Sequence, residues 1–338
     1  MIQAAIQSLL DGRDLSRDDA RTVMGEIMEG EATAAQIGGF LVALRAKGET
    51  ADEIAGCAEA MRAHVLPVSP ARVDVVDVVG TGGDGARTFN ISTTAAIVAA
   101  AAGAGVAKHG NRAVSSVSGS ADVLEALGLE LEQSPARIAE SIDTLGFGFM
   151  FAPLHHPAMR HAAPIRRELG TRTIFNVLGP LTNPAGARAG VFGVYSAPVA
   201  RTVADALAVL DSRRAFVVHG ANGIDELSPA GPNLVLEVVE GAVRERVLDP
   251  AELGIPPSDP AELAGGTPEE NARTTREILS GADGAKRDAV ILNAAGAIAA
   301  AGHAVDLREG LDHAREAIDS GRAAARLEEL VAFSRESG

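Results

Sequence analysis

Aromatic residues and cysteine are scarce in this sequence, and their scarcity excludes several kinds of site. Tryptophan is absent and Tyr195 is the single tyrosine, so a surface for stacking nucleobases would be hard to build. Cys57 is the single cysteine, which excludes an internal disulfide bond and is typical of a reducing cytoplasm. No apolar run reaches membrane-spanning length without glycine or polar interruption. We therefore expect a cytoplasmic protein with neither a membrane nor a nucleic-acid partner.

Positive charge is also in deficit. The 338 residues include 30 Lys and Arg against 45 Asp and Glu, which gives a net charge of −15. An acidic surface disfavours nucleic acids and anionic membranes as partners, so a polyanionic ligand would need a local group of donors. The length suffices for one large α/β domain and a smaller one.

Residues 1–66 carry apolar residues at helical spacing and read as four helices. Thr50 and Glu53 form a capping-box pattern at the start of the fourth. The apolar stripes exceed what four helices can bury among themselves, so part must pack on the rest of the chain or on a second subunit. Pro67 and Pro70 mark a linker.

From residue 73 onward, strand and helix patterns alternate, which predicts a mostly parallel sheet with helices on both faces. Residues 234–247 also fit a β-hairpin that turns at Glu240-Gly241. The predicted strands are Val73–Val79, Val106–Lys108, Phe147–Ala152, Val191–Tyr195, Ala215–Val218 and Leu234–Val239, and the predicted helices include Ser92–Ala102, Ser120–Leu127, Arg201–Leu210, Glu269–Leu279 and two in 305–333.

The stretch Asp77–Asn90, DVVGTGGDGARTFN, places four glycines between the first predicted strand and a helix. A glycine-rich strand-to-helix turn presents backbone N–H groups to a phosphate, because no side chain blocks the anion. A tight turn without a ligand is the alternative. Four short polar residues at the helix start exceed what a helix cap requires and favour the phosphate hypothesis. These residues are Thr88, Asn90, Ser92 and Thr93.

A second loop, Lys108–Asp122, reads KHGNRAVSSVSGSAD and also follows a strand and precedes a helix. We expect it at the same sheet edge as the glycine-rich turn. Lys108, Arg112 and the serines suit phosphate oxygens. A solvated loop without a ligand is the alternative.

The adjacent carboxylates Asp225 and Glu226 lie in GANGIDELSP, directly after a predicted strand. Mg²⁺ prefers one or two protein carboxylates together with substrate phosphates, and an acidic surface turn is the alternative. His109, His155, His156 and His161 lack metal-ligand spacing, so structural or substrate-edge roles are favoured. Spacing alone places Arg166 and Arg167 on the surface.

The motifs GTGGDG with TFNIST, KHGNRAVSSVSGSAD, HPAMRHAAPIRRELGTRTIFNVLGPLTNPA and HGANGIDELSP together resemble anthranilate phosphoribosyltransferases in order and spacing. The resemblance covers nearly the whole chain. It implies the nucleoside phosphorylase/phosphoribosyltransferase type III fold, with a small all-helical domain (1–66, joined by a segment near 160–180) and a large α/β domain (71–338). It also implies a homodimer formed through the helical domain.

The resemblance further implies the ligands and the residues that bind them. The substrates would be phosphoribosyl pyrophosphate (PRPP) and anthranilate, with Mg²⁺ as cofactor and Lys108 and His109 in catalysis. The implied PRPP ligands are Gly80, Gly83, Asp84, Thr88, Asn90, Ile91, Ser92, Thr93, Lys108, Arg112, Ser115, Ser116 and Ser120; the anthranilate ligands are Gly80, Asn111 and Arg166; the Mg²⁺ ligands are Ser92, Asp225 and Glu226.

Two departures from the family pattern accompany the resemblance. Ala221-Asn222 replaces an acidic residue that family members often carry before Gly223, and Pro164 is expected to bend the segment of Arg166. A pyrimidine nucleoside phosphorylase, a nucleic-acid-binding relative and a phosphate-binding regulator are the alternative functions.

Overall fold

Four α-helices open the chain in the computed structural model, which describes residues 1–113 and 117–336. They are α1 (Ile2–Leu10), α2 (Arg17–Glu29), α3 (Ala34–Lys47) and α4 (Ala51–Ala63). Thr50 and Glu53 form the predicted capping box, and Thr33 and Gln36 form another. The four predicted helices are therefore confirmed.

A seven-stranded sheet forms the centre of the molecule, in the order β3-β2-β1-β4-β5-β6-β7. The strands are β1 (Val75–Gly80), β2 (Gly105–Gly110), β3 (Phe147–Phe151), β4 (Ala189–Gly193), β5 (Arg214–His219), β6 (Asn233–Val239) and β7 (Ala242–Leu248). The first five strands are parallel, and the last two form the predicted hairpin, in which β6 pairs antiparallel with both β5 and β7. The mostly parallel sheet is confirmed.

The remaining helices lie between and after the strands. They are α5 (Ile91–Ala101), α6 (Ser120–Leu127), α7 (Pro135–Leu145), α8 (Ala152–His155), α9 (Ala163–Leu169), α10 (Phe175–Leu181), α11 (Ala197–Val209), α12 (Pro268–Leu279), α13 (Ala285–Ala301), α14 (Leu307–Asp319) and α15 (Arg322–Arg335). No helix of the described residues has the length and apolarity needed to cross a membrane.

The two faces of the sheet are buried in different cores. Along β5, Phe216 and Val218 pack into one core with α5, α13 and α14, whereas Ala215 and Val217 pack into the other with α1–α4, α10 and α11. The alternation follows from the two-residue repeat of a strand. The amino-terminal helices therefore cover one face of the sheet, and α9 contacts α3 beside them.

Two predicted elements have other bounds in the structure, and the α13 helix was absent from the prediction. The strand predicted at Val191–Tyr195 lies at Ala189–Gly193, because small residues there pair with β1 and β5 without the β-branched pattern. The helix predicted from Arg201 begins at Ala197, where Pro198 occupies its first turn. The α13 helix was not predicted, because it is apolar all round and has no stripe.

The strand order of the sheet has a topological switch point between the neighbouring strands β1 and β4. The strands β2 and β3 follow on one side of β1, and β4 and β5 follow on the other. Open α/β sheets bind ligands at such a switch point, beyond the carboxyl ends of the strands. Both phosphate-suited loops and the Asp225-Glu226 turn follow carboxyl ends of these strands.

Candidate active site

The glycine loop, residues 80–85, is held against the carboxylate of Asp225. Gly82 N donates a hydrogen bond to Asp225 Oδ2 over 2.6 Å, and Thr81 N donates to Gly193 O over 2.9 Å. A Cβ on Gly80 would lie 2.3 Å from Asp225 Oδ2, so only glycine permits this approach. The loop therefore joins the switch point to the acidic turn after β5.

Asp225 and Glu226 are two buried carboxylates beside one another, with relative exposures of 9% and 8%. Glu226 Oε1 accepts a hydrogen bond from Ser92 N over 3.2 Å. Burial and the nearby Asp84 carboxylate raise the pKa of Asp225, and burial and Asp225 raise the pKa of Glu226. Neither carboxylate forms an ion pair with a basic side chain in the described part of the chain. The charge of Lys108 acts on Glu226 without forming an ion pair with it, so a bound cation would complete the neutralisation of the two carboxylates.

These residues fit Mg²⁺ better than a metal held entirely by protein. Among residues 1–113 and 117–336, no group of three or more His, Cys, Asp or Glu side chains is arranged to hold a metal ion. Mg²⁺ uses one or two carboxylates and completes its shell with water and phosphate oxygens. Asp225, Glu226 and the Ser92 hydroxyl would supply the protein ligands.

Lys108 lies next to this turn and is only 2% exposed. Its Nζ donates to Val78 O over 2.6 Å and approaches Ser92 Oγ at 3.5 Å. Burial lowers the pKa of Lys108, while the charges of Asp77 and Glu226 oppose that shift. Its position places a positive charge beside Ser92, as a phosphate-binding role requires.

Asp77 is a buried acidic residue next to the site to which the sequence analysis assigned no role. Its carboxylate is fully buried and accepts hydrogen bonds from Val78 N (2.8 Å), His109 N (3.3 Å) and Asn183 Nδ2 (2.6 Å). Burial raises the pKa of Asp77 to about 6, and Lys108 opposes the shift. An acidic residue inside an apolar strand was the available signal. Asp77 joins β1, β2 and the turn after α10.

The Asp77→Ala variant is expected to lose about 3 kcal/mol of unfolding free energy, because it leaves one N–H of the Asn183 amide and a backbone N–H buried without an acceptor. Asp77→Asn is expected to lose less, because its amide oxygen still accepts. Urea unfolding followed by circular dichroism measures both. Asp205→Ala, which breaks a surface ion pair with Arg201, serves as the control with a much smaller expected loss. Equal losses for Asp77→Ala and the control would contradict the prediction.

His109 belongs to a buried histidine pair. Its Nδ1 lies 3.2 Å from Gly179 O, and its Nε2 lies 3.1 Å from His156 Nε2. Since a carbonyl only accepts, Nδ1 carries the proton, Nε2 accepts, and His156 donates. Burial lowers the pKa of His109 to about 3 and that of His156 to about 4, so both rings are neutral at pH 7. The pair contacts α10 and forms no metal centre.

The two arginines of α9 differ in their surroundings. Arg167 is exposed, whereas Arg166 is half-buried with its guanidinium 5.0 Å from the Phe175 ring centre. Arg166 forms no ion pair within residues 1–113 and 117–336, and burial lowers its pKa. The surface position that spacing suggested for Arg166 is therefore wrong. Pro164 does not bend the segment, because it lies in the first turn of α9, which accommodates proline.

The second loop is partly committed to contacts within the fold. Arg112 pairs with Asp122 and Glu125, and Ser120 Oγ donates to Asn111 O over 3.2 Å. Asn111 is exposed. The predicted ligands Ser115 and Ser116 lie outside the described residues.

The predicted PRPP ligands at the start of α5 fall into two groups. Ile91 and Thr93 are each 1% exposed, whereas Thr88 and Ser92 are half-buried. Asn90 links two segments, since its Nδ2 donates to Ser118 O over 3.2 Å and its Oδ1 accepts from Asn271 Nδ2 over 2.9 Å. Gly83 and Asp84 lie in the glycine loop, where Asp84 Oδ2 accepts from Asp225 N at 3.3 Å.

Comparison with known proteins defines the class of this chain. Residues 3–65 match the helical bundle domain of a glycosyl transferase family, and residues 72–324 match the a/b domain of that family. The fold and the phosphate-suited edge are thus those of a glycosyltransferase with a helical domain.

The particular family follows from individual relatives. An anthranilate phosphoribosyltransferase of Desulforudis audaxviator is 55% identical over 99% of this chain and 96% of its own length. The crystal structure of the Thermus thermophilus anthranilate phosphoribosyltransferase has a TM-score of 0.93 at 49% identity, covering 98% of this chain and 99% of that one. The Saccharomyces cerevisiae enzyme in complex with PRPP and Mg has a TM-score of 0.89 at 31% identity, covering 98% and 97%. The chain belongs to the anthranilate phosphoribosyltransferase family.

Proposed function

We propose that this protein transfers the 5-phosphoribosyl group of PRPP to the amine of anthranilate in tryptophan biosynthesis. The products are pyrophosphate and N-(5-phosphoribosyl)anthranilate. Family membership supports the reaction, and one observation carries it in this chain. The glycine loop at the switch point contacts a buried carboxylate pair that forms no ion pair with a basic side chain in the described residues. Mg²⁺ held by that pair would supply positive charge to the carboxylates and to a bound pyrophosphate.

The PRPP site in this proposal occupies the carboxyl ends of β1 and β2. The backbone of the glycine loop and Lys108 would hold the phosphate groups, with Asp84, Thr88, Asn90, Ile91, Ser92, Thr93, Arg112 and the serines 115, 116 and 120 around them. Arg112 would exchange its surface pairing with Asp122 and Glu125 for a phosphate. Anthranilate would lie near Gly80 and Asn111, with its carboxylate on Arg166.

The chemistry is a displacement at C1 of the ribose. The C1–O bond to pyrophosphate breaks, the C1–N bond to the amine forms, and the amine loses one proton. Since the arylamine is a neutral nucleophile, the protein contributes mainly positioning and neutralisation of the leaving group. Lys108 and the glycine-loop N–H groups neutralise it directly. When bound, Mg²⁺ would add Lewis-acid stabilisation of the pyrophosphate, held by Ser92, Asp225 and Glu226.

A fluorescence assay tests the proposal. Anthranilate, PRPP and the protein are mixed with and without Mg²⁺, and loss of anthranilate fluorescence is followed together with pyrophosphate release. We expect turnover that requires both substrates and is much faster with Mg²⁺. Phosphorolysis of thymidine without pyrophosphate release would instead indicate a pyrimidine nucleoside phosphorylase.

In this proposal His109 accepts the amine proton after attack through Nε2, which must first give up its hydrogen bond from His156 Nε2, and the negative charge of the departing pyrophosphate must raise the pKa of His109 from about 3. The His109→Ala variant is then expected to slow the chemical step about a hundredfold in single-turnover experiments and to change its pH profile. His313→Ala, which removes a remote histidine of α14, is the control and should leave both unchanged. An unchanged chemical step and pH profile in His109→Ala would exclude this role.

The domain division, the oligomer and the compartment complete the proposal. We place the helical domain at 1–66 with the segment near 160–180, and the α/β domain at 71–338. Leu10 (68% exposed) and Val42 (47%) leave apolar surface on the helical domain, which supports a homodimer through it. Light scattering would test the dimer, with Val42→Glu as the disrupting variant. The single, buried cysteine supports the cytoplasm.

A further inference from the structure

Arg172 connects two parts of the site that the sequence analysis treated separately. It lies in the acceptor segment, residues 163–181, which also carries Arg166. Its guanidinium donates a hydrogen bond to Gly83 O in the glycine loop and stacks over the Tyr195 ring, with Cζ 4.0 Å from the ring centre. Arg172 forms no ion pair with an acidic side chain in the described residues. The hydrogen bond to Gly83 O and the stacking on Tyr195 are therefore the main contacts that hold the Arg172 side chain in place.

Tyr195 attaches the same loop from a second element. It follows β4, and its backbone N donates to Thr81 Oγ1 over 3.2 Å. The glycine loop thus meets Tyr195 at one end and Arg172 further along. Gly82, Gly83 and Gly85 all have positive φ, a region that glycine adopts readily because it has no side chain. The same lack of side chains leaves the loop with few conformational restraints of its own. The contacts from Arg172 and Tyr195 replace that missing restraint.

The hydrogen bond to Gly83 O also fixes a neighbouring donor. In a planar trans peptide the C=O and the following N–H point in opposite directions. Since Arg172 holds Gly83 O, the N–H of Asp84 must point away from the guanidinium. Arg172 therefore determines the direction of a backbone donor in the loop that would bind the phosphates.

We propose that Arg172 is a positioning residue that couples the binding of the two substrates. PRPP orders the glycine loop and, through Arg172, also the acceptor segment; anthranilate orders the acceptor segment and, through Arg172, also the glycine loop. The inference rests on the proposed function of these two elements. A ligand that orders one element also reduces the conformational entropy that the other element must lose on binding. Each substrate therefore binds more tightly when the other substrate is present. His109 Nδ1 and Gly179 O, 3.2 Å apart, provide a second link between β2 and the same segment.

Calorimetry with an unreactive acceptor measures this coupling. Benzoate carries the ring and the carboxylate but no amine, so its Kd can be measured with and without saturating PRPP and Mg²⁺. We expect PRPP to tighten benzoate binding about tenfold in the unaltered protein. Arg172→Gln should reduce this factor at least threefold, with the remainder carried by the His109 link, while leaving the Kd of benzoate alone unchanged. A role in stability alone would not change the ratio.

Matched variants make the test decisive. Arg167→Gln removes an exposed arginine of the same segment and should keep the full coupling. Tyr195→Phe keeps the aromatic ring and should also keep the coupling, whereas Tyr195→Ala should weaken the coupling. The Tyr195 variants therefore test the link even if Arg172→Gln fails to fold. Unchanged coupling in Arg172→Gln overturns the inference. If Arg172→Gln does not fold, unchanged coupling in Tyr195→Ala overturns it instead. So does the absence of coupling in the unaltered protein. Failure of the proposed function would appear separately, as no turnover of PRPP and anthranilate by the unaltered protein.

Discussion

The double variant Asp225→Asn/Glu226→Gln is expected to lose about a thousandfold in kcat/KM at saturating Mg²⁺. Metal stabilisation of a leaving group supplies several kcal/mol, and each 1.4 kcal/mol corresponds to about tenfold in rate. Amides keep the shape of the carboxylates but not the charge that binds the cation. The measurement is the initial rate of anthranilate consumption over a Mg²⁺ titration. The variant should require far more Mg²⁺ or show no response to it.

A stability measurement distinguishes lost metal binding from a damaged fold. Burial and repulsion from Asp84 raise the pKa of Asp225, and burial and repulsion from Asp225 raise that of Glu226, so their ionised forms are unfavourable in the metal-free protein. Removing these charges should leave the metal-free Tm unchanged or higher. Mg²⁺ with PRPP should raise the Tm of the unaltered protein and not that of the variant.

Another adjacent acidic pair provides the matched control. Glu328 and Glu329 lie exposed on α15, and Glu328→Gln/Glu329→Gln should keep both the rate and the Mg²⁺ response. If Asp225→Asn/Glu226→Gln kept an unaltered Mg²⁺ dependence, the two residues would be removed as ligands.

The fold was predictable where local chemistry decides the element. Capping residues such as Thr50 and Glu53 mark a helix start in any context, and Glu240-Gly241 favours a hairpin. The α13 helix was not predictable in this way, because 14 of its 17 residues are buried and no polar face reveals its period. Its position on the sheet, beside α5 and against α14, determines that burial, and this position cannot be inferred from the local sequence pattern.

The candidate site divides in the same manner. The glycine loop and Asp225-Glu226 have sequence patterns of the kind that the proposed phosphate and Mg²⁺ sites would impose, with set residue types at short spacing. Asp77 left only a weak signal, a carboxylate inside an apolar strand. Arg172 left none, since its partners Gly83 and Tyr195 are distant in sequence and meet it only in the folded chain.

Arg166→Ala is expected to raise the KM for anthranilate about 30- to 100-fold and the KM for PRPP little. A charge-assisted hydrogen bond contributes about 1.5–3 kcal/mol, and its loss acts on the ligand that makes it. Arg166 is half-buried against Phe175, and no acidic side chain of the described residues pairs with it. Because guanidinium remains charged at neutral pH even when burial lowers its pKa, it is available to an incoming carboxylate.

A substrate without the carboxylate tests this pairing directly. Aniline has the nucleophilic amine alone, so the unaltered protein should prefer anthranilate strongly, and Arg166→Ala should lose most of that preference by losing activity on anthranilate only. Initial rates with both amines measure the ratio, and Arg167→Ala should keep it. A general disturbance of α9 would instead reduce both activities together, and equal increases in both KM values would contradict a carboxylate-specific role. Retained preference for anthranilate would assign recognition of the carboxylate to another residue.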